Sequence, residues 1–178
     1  ENDGYGETSA LAGLVRSLNK VRGPERGDYS FVKPEAERIG SDLITVALIY
    51  RQSRVQTQGA PAFTAEGPFA QWSRAPLAQR FVSGALDFVV VANHFKSKGC
   101  QDAEGPDRDQ EDGQGCYNAK RVESARVLAD WLATDPLKTG NDRVLLVGDL
   151  NAYGNEDPVR LLTSRGYIDV VPAQLSEP

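Results

Sequence analysis

The chain has no methionine, a single histidine and only two cysteines among its 178 residues. Without methionine there is no initiator residue, so the expectation is an internal piece of a longer protein, a partial domain over residues 1–178. With one histidine, any imidazole chemistry in this chain falls to His94. No stretch approaches the roughly 20 consecutive apolar residues that a membrane-spanning helix needs. Basic residues are the minority, 20 Lys and Arg against 25 Asp and Glu, for a net charge of −5. That balance argues against a general polyanion binder, whose binding surface is normally basic. It leaves room for an enzyme that meets a phosphate through a few local contacts. What is present is ordinary: 40% hydrophobic and 25% charged residues, enough for one domain with a real core.

The two cysteines, Cys100 and Cys116, flank a polar, acidic, glycine-rich stretch. An even pair around an exposed loop points to a disulfide and an oxidising compartment, extracellular or periplasmic. Two free buried thiols are the alternative. The loop carries Asp102, Glu104, Asp107, Asp109, Glu111 and Asp112. It lacks the spacing and terminal Glu of a calcium helix-loop-helix site.

Along the chain, Leu11, Leu14, Val15 and Leu18 recur at helical spacing, predicting a helix over 8–20 capped by Thr8 or Ser9. A polar connection over 21–40 follows. Leu43–Tyr50 reads as a buried strand, rich in β-branched and apolar residues. Val55 begins an edge strand, and residues 57–78 lack periodicity, which in a connection this long indicates function or mobility. Arg80–Ser83 is a short strand before a Gly84 turn, and Asp87–Ala92 a clearer one. Val122, Ala125, Leu128, Ala129 and Leu132 mark one apolar face of a helix. Arg143–Val147 is predicted as a central strand covered on both faces, Pro158–Ser164 as a short helix and Tyr167–Val171 as a last strand. These elements predict a layered α/β fold with a mixed sheet flanked by helices.

The chemistry concentrates at two strand ends. In an extended chain residues i and i+2 point the same way, so Asp149 and Asn151 are expected to project together after the apolar run 144–147. A carboxylate and an amide in one small volume suit a hydrated cation and a phosphate. Asn93 and His94 end another apolar strand, and an imidazole serves as proton donor or as hydrogen-bond donor to a developing oxyanion. Lys96 and Lys98 follow at alternate positions, able to meet phosphate oxygens or simply solvent. Arg51 and Arg74 each carry a fork that fits a phosphate.

Five segments in order resemble the endonuclease/exonuclease/phosphatase superfamily, and within it the secreted bacterial deoxyribonucleases. They are Glu1-Asn-Asp-Gly-Tyr-Gly, Val46-Ala-Leu-Ile-Tyr-Arg51, Arg74-Ala-Pro-Leu-Ala-Gln79, Val91-Ala-Asn-His-Phe-Lys-Ser-Lys-Gly-Cys100 and Gly148-Asp-Leu-Asn151. The cysteine pair falls where those secreted nucleases carry one. The resemblance implies a four-layer α/β sandwich of two mixed sheets flanked by helices. Here it would be incomplete, lacking the family's N-terminal strand that bears an active-site Asn and its C-terminal Asp-His segment.

The resemblance further implies a metal-dependent phosphodiesterase acting on nucleic acid, most readily DNA, by in-line attack of water. Glu1 and Asp149 would hold Mg²⁺, or Mn²⁺ or Ca²⁺ in its place. Asp149 would also orient the water, and Asn151 would fix the phosphate or the nucleophile. His94 and Arg74 would stabilise charge on the phosphoryl oxygens, with Lys96 and Lys98 as further phosphate contacts. Asp42 and Asn93 would support the site from behind. A phospholipid phosphodiesterase or phosphatase of the same superfamily is the first alternative. A non-catalytic secreted fragment, or a module binding Ca²⁺ through the acidic loop, is the second.

Overall fold

The computed structural model describes residues 1–171. In chain order the elements are α1 (Ala10–Arg22), β1 (Tyr29–Phe31), β2 (Ile49–Arg51), β3 (Gln56–Phe63), β4 (Arg74–Ser83), β5 (Leu86–His94), α2 (Asn118–Ala133), β6 (Val144–Asp149) and α3 (Asp157–Ser164). β3, β4, β5 and β6 form a sheet in that order, with β1 and β2 a separate antiparallel pair. β4 and β5 are a hairpin turning at Gly84, where φ is +58°. β6 lies parallel to β5, which requires a crossover, and α2 provides it.

Alternation along β5 shows why this sheet is the centre of the fold. Val89 and Val91 enter a core with Ala78, Phe69, Phe95 and the α2 residues Ala125, Leu128 and Ala129. Phe88, Val90 and Ala92 enter a second core with Leu77, Phe81, Val32, Ile39 and Val46. A period of two therefore buries both faces, one under α2 and α3, the other under β1 and β2. α1 packs against β1 on the outside. The result is a four-layer α/β sandwich, with one mixed sheet rather than two, the smaller sheet being purely antiparallel.

Ser9 is the N-cap of α1, its hydroxyl accepting from the Ala12 N–H at 3.2 Å. The apolar stripe of α2 packs as its spacing predicts, with Ala125, Leu128 and Ala129 buried. Other expectations are corrected. The strand over Leu43–Tyr50 shrinks to Ile49–Arg51, and Leu43 is exposed. β1 offers it only three partner residues, and Leu43 instead accepts a hydrogen bond from the Asn2 N–H at 2.8 Å. The aperiodic stretch 57–78 contains most of β3 and the start of β4. β3 is an edge strand of mostly exposed residues, Gln-Thr-Gln-Gly-Ala-Pro-Ala-Phe, so backbone pairing holds it without an apolar pattern to announce it. Its Pro61 falls within a register shift, where a missing donor costs nothing.

β6 is not central among the described residues. Its only neighbour is β5, and Leu145 and Val147 are 52% and 43% exposed. One face packs on the α2 core through Val144 and Leu146, while the other stays open. No strand forms over Tyr167–Val171 among the described residues, and Ile168, Val170 and Val171 are exposed.

Cys100 and Cys116 are joined in a disulfide, so neither is a free thiol. Closing a loop of this length contributes about 3 kcal/mol in the chain-entropy model. Arg121, fully buried on α2, clamps the same loop by donating to the carbonyls of Cys116 and Gln114, each at 2.7 Å. The loop's carboxylates serve its own turns: Asp109 accepts from the Glu111 N–H and Asp112 from the Gln114 N–H, both at 2.9 Å. Asp107 faces Lys120 at 3.7 Å.

Candidate active site at the ends of three strands

Strand register brings the candidate residues together. Arg74 opens β4 opposite His94, which ends β5, and His94 in turn pairs with Asp149, which ends β6. Antiparallel and parallel pairing thus place an arginine, a histidine and an aspartate in a row along one edge of the sheet. The sequence separations, 20 and 55 residues, give no hint of this, because it depends on a hairpin and a helical crossover.

Arg74 is mostly buried. Its Nη2 meets Asp42 Oδ2 at 3.2 Å, and its Nε has no partner among the described residues. Asp42 is held in turn from the N-terminus, its carbonyl accepting from Asn2 Nδ2 at 2.9 Å while Ile39 accepts from the same amide at 3.1 Å. Buried Asn2 therefore anchors Glu1, itself exposed, beside the Asp42 segment. Gly40, Ser41, Gln71 and Ser73 complete a small cleft next to Arg74 and Asp42. A larger cavity of about 250 Å³ lies at the far end of the same strands, around Val89, Leu137 and Val144, away from these residues.

β6 ends sharply at Asp149. Asp149 Oδ1 accepts from the Asn151 N–H at 2.8 Å, and Asn151 takes a left-handed backbone with φ +48°. This Asx turn means that Asp149 and Asn151 do not project side by side as an extended chain would have them. Asn151 turns back across the strands, donating from Nδ2 to the Phe95 carbonyl at 3.0 Å. It thereby ties the end of β6 to the residue after His94. Asn93 is buried between the two strands, with Nδ2 donating to Val91 at 2.8 Å and its Oδ1 unpartnered among the described residues.

The lysines diverge. Lys96 Nζ lies over the Tyr117 ring at 4.4 Å from its centroid. Lys98 Nζ is paired with Glu156 at 2.5 Å and lies over Tyr153, so its charge is already answered by a carboxylate. Arg51 is likewise spent on Asp28 at 2.8 Å, within the β1–β2 layer. The segment after His94 is fixed from below by Ser73, whose hydroxyl accepts from the Lys96 N–H at 3.0 Å and meets Ser124 of α2 at 2.8 Å. Ser73, Ser124 and Arg121 were silent in the sequence, since a serine or an arginine shows no pattern that separates a buried tie from an exposed residue.

The surroundings of His94 disfavour its charged form. Burial lowers its pKa below the ordinary 6.5, and Arg74 lowers it further, while Asp149 and Asp42 act the other way. As the only histidine it is a clean reporter: its imidazole proton resonances, followed in metal-free protein, should titrate with a midpoint below 6.5, rising when Arg74 is replaced by alanine. A midpoint above 6.5 contradicts the geometry. Between 6.5 and the lower native value the unfolded chain binds more protons, so this group removes stability as pH falls through that window.

Among the described residues, no three His, Cys, Asp or Glu side chains are grouped closely enough to form a metal cage. Glu1 and Asp149 are carboxylates, the hard oxygen donors of which Mg²⁺ takes one or two before completing its shell with water and substrate phosphate.

No protein-family model matches this chain, and no curated protein matches it. Solved structures do. An endonuclease/exonuclease/phosphatase family protein from Bacteroides thetaiotaomicron superposes with a TM-score of 0.55 at 14% identity, covering 88% of this chain and 52% of that one. A mannosyl-6-phosphatase from Bacteroides thetaiotaomicron VPI-5482 gives 0.54 at 14% identity, over 88% and 54%. Humanised D. rerio TDP2 gives 0.53 at 16% identity, over 94% and 56%. The chain spans about half the length of each. Its four layers are those of the endonuclease/exonuclease/phosphatase fold.

Proposed function

We propose that this chain carries part of the active site of a metal-dependent phosphodiester hydrolase that cuts DNA outside the cell. The observation that carries the reading is the row Arg74–His94–Asp149 on three neighbouring strands. Arg74, already braced by Asp42, offers the rest of its fork to a phosphate oxygen. Neutral His94 donates a hydrogen bond to a phosphoryl oxygen as charge builds there. Asp149 accepts a proton from the attacking water or orients it. Asn151 keeps the two strand ends at fixed separation through Phe95. Mg²⁺, or Mn²⁺ or Ca²⁺, held by Glu1 and Asp149, would supply Lewis-acid neutralisation of the phosphate.

The disulfide supports a secreted protein, since such bonds persist in oxidising compartments. The open edge and half-exposed face of β6, together with the length of the similar structures, support a domain completed by segments outside residues 1–178. The Arg74 segment, the Lys96-Ser-Lys98 segment and the cysteine pair together support the secreted-nuclease reading over a lipid phosphodiesterase. The test is direct. Full-length protein with Mg²⁺ should nick supercoiled plasmid, lose this with EDTA and regain it on adding Mg²⁺ back. Turnover of a choline phospholipid or a sugar phosphate without plasmid nicking would replace the nuclease reading with one of its fold relatives.

A further inference from the structure

An aromatic–cationic strip of Trp72, Tyr117, Lys96 and Lys120 continues from the candidate site. Trp72 and Arg74 are two residues apart, with Ser73 between them buried against α2. His94 and Lys96 are likewise two apart, and Arg74 is the register partner of His94. The step that leads from Arg74 to Trp72 therefore runs alongside the step from His94 to Lys96. At its end Trp72 packs on Tyr117 with ring centroids 5.6 Å apart and an interplanar angle of 33°. Lys96 Nζ lies over Tyr117 at 4.4 Å and Lys120 Nζ over Trp72 at 5.7 Å.

Trp72 remains 37% exposed over a buried tyrosine. Tyr117 is itself fixed. It is 2% exposed and follows the disulfide directly, its hydroxyl donating to the Gln101 carbonyl at 2.6 Å. A partly exposed π-face beside cations is the combination that captures a nucleobase and its phosphate, and Lys120 Nζ, which lies over the Trp72 ring, would move from the ring to the backbone phosphate as a base stacks. A duplex buries the faces of all but its terminal bases, so along its length only an unpaired strand has faces to offer.

We propose that Trp72 is a stacking platform for an unpaired nucleobase one step from the phosphate held at Arg74 and His94, with Lys96 and Lys120 meeting the adjoining backbone. This makes the ligand of the strip single-stranded nucleic acid, and it rests on the phosphodiesterase reading only for the position of the phosphate. Among the described residues Asp107 pairs with Lys120 and would compete with a bound phosphate, and Asp102 and Glu104 add negative charge near Tyr117.

The experiment reads binding and hydrolysis separately. Fluorescein-labelled (dT)10 is titrated into metal-free full-length protein by anisotropy, against a duplex of the same length. Trp72→Leu keeps apolar packing on Tyr117 but removes the flat π-face, and should weaken (dT)10 binding about 10-fold. Trp72→Phe should keep most of the affinity, and duplex binding should not respond to either change. An unchanged (dT)10 affinity in Trp72→Leu, an equal loss for duplex, or no (dT)10 binding by the unaltered protein overturns the platform. Hydrolysis of bis(p-nitrophenyl) phosphate, too small to reach Trp72, reports the phosphodiesterase reading alone. Its absence with stacking intact sinks that reading and leaves the platform standing.

Discussion

Alanine at His94 should lower plasmid-cleavage turnover of the full-length protein by about 10²–10³-fold, the range found when one preorganised donor to a developing oxyanion is removed. The melting temperature should barely change. His94 is half-buried at a strand end, and its side chain makes no hydrogen bond to any described residue, so truncation strands no partner. Its neighbour Asn93 offers the contrast, being 2% exposed with its amide tied to Val91. Loss at that position acts on the fold. Turnover and thermal unfolding measured on the same His94→Ala preparation therefore separate chemistry from stability. Cleavage at near-normal rate would remove His94 from the mechanism.

Alanine at Gly148 should damage both. Gly148 has φ +113°, a backbone region that L side chains rarely adopt. An added Cβ would stand 2.1 Å from the Asn93 carbonyl oxygen and 3.0 Å from the Asn93 nitrogen. These are backbone atoms of a paired strand, so no flexible side chain can swing aside. Strain of about 1–3 kcal/mol from the dihedral adds to about 1–3 kcal/mol from overpacking. A loss near 3–4 kcal/mol in urea unfolding is expected. Relief requires β6 to move away from β5, and Asp149, the next residue, moves with it away from His94. A displacement on the order of 1 Å costs roughly 100-fold in rate, so the surviving folded fraction should also be slow. A stability change under about 1 kcal/mol would show that the strands are not in the close contact described.

How much of this was legible in advance differs from residue to residue. Asp149 and His94 stood out because a polar group directly after an apolar run breaks the pattern. Arg74 stands out as a fork for a phosphate, but its sequence context places it in a loop. It opens a ten-residue strand whose alternation is masked by Pro76 and by burial on both faces. The edge strand expected from Val55 is β3, but its length is hidden for the opposite reason, since it is too exposed to show an apolar period. Asn151 was read with the geometry of an extended chain, while the Asx turn of Asp149 redirects it. Trp72 and Tyr117 are 45 residues apart and carry no motif.

The sequence by itself determined the local elements that need only local causes: the helix after Ser9, the apolar stripe of α2, the Gly84 hairpin, the strand cores of β5 and β6, and the cysteine pair around its polar loop. Hydrophobic period, capping and turn chemistry act within a few residues, so they are written in the chain. Tertiary structure alone decided what stands beside what. Strand register set Arg74 against His94 and His94 against Asp149. Helix packing buried Arg121 and Ser124 under the loops they hold, and the pairing of edges left β6 open on one side. Those relations depend on contacts between residues far apart in the chain, fixed by the pleat and the crossover, and no local pattern encodes them.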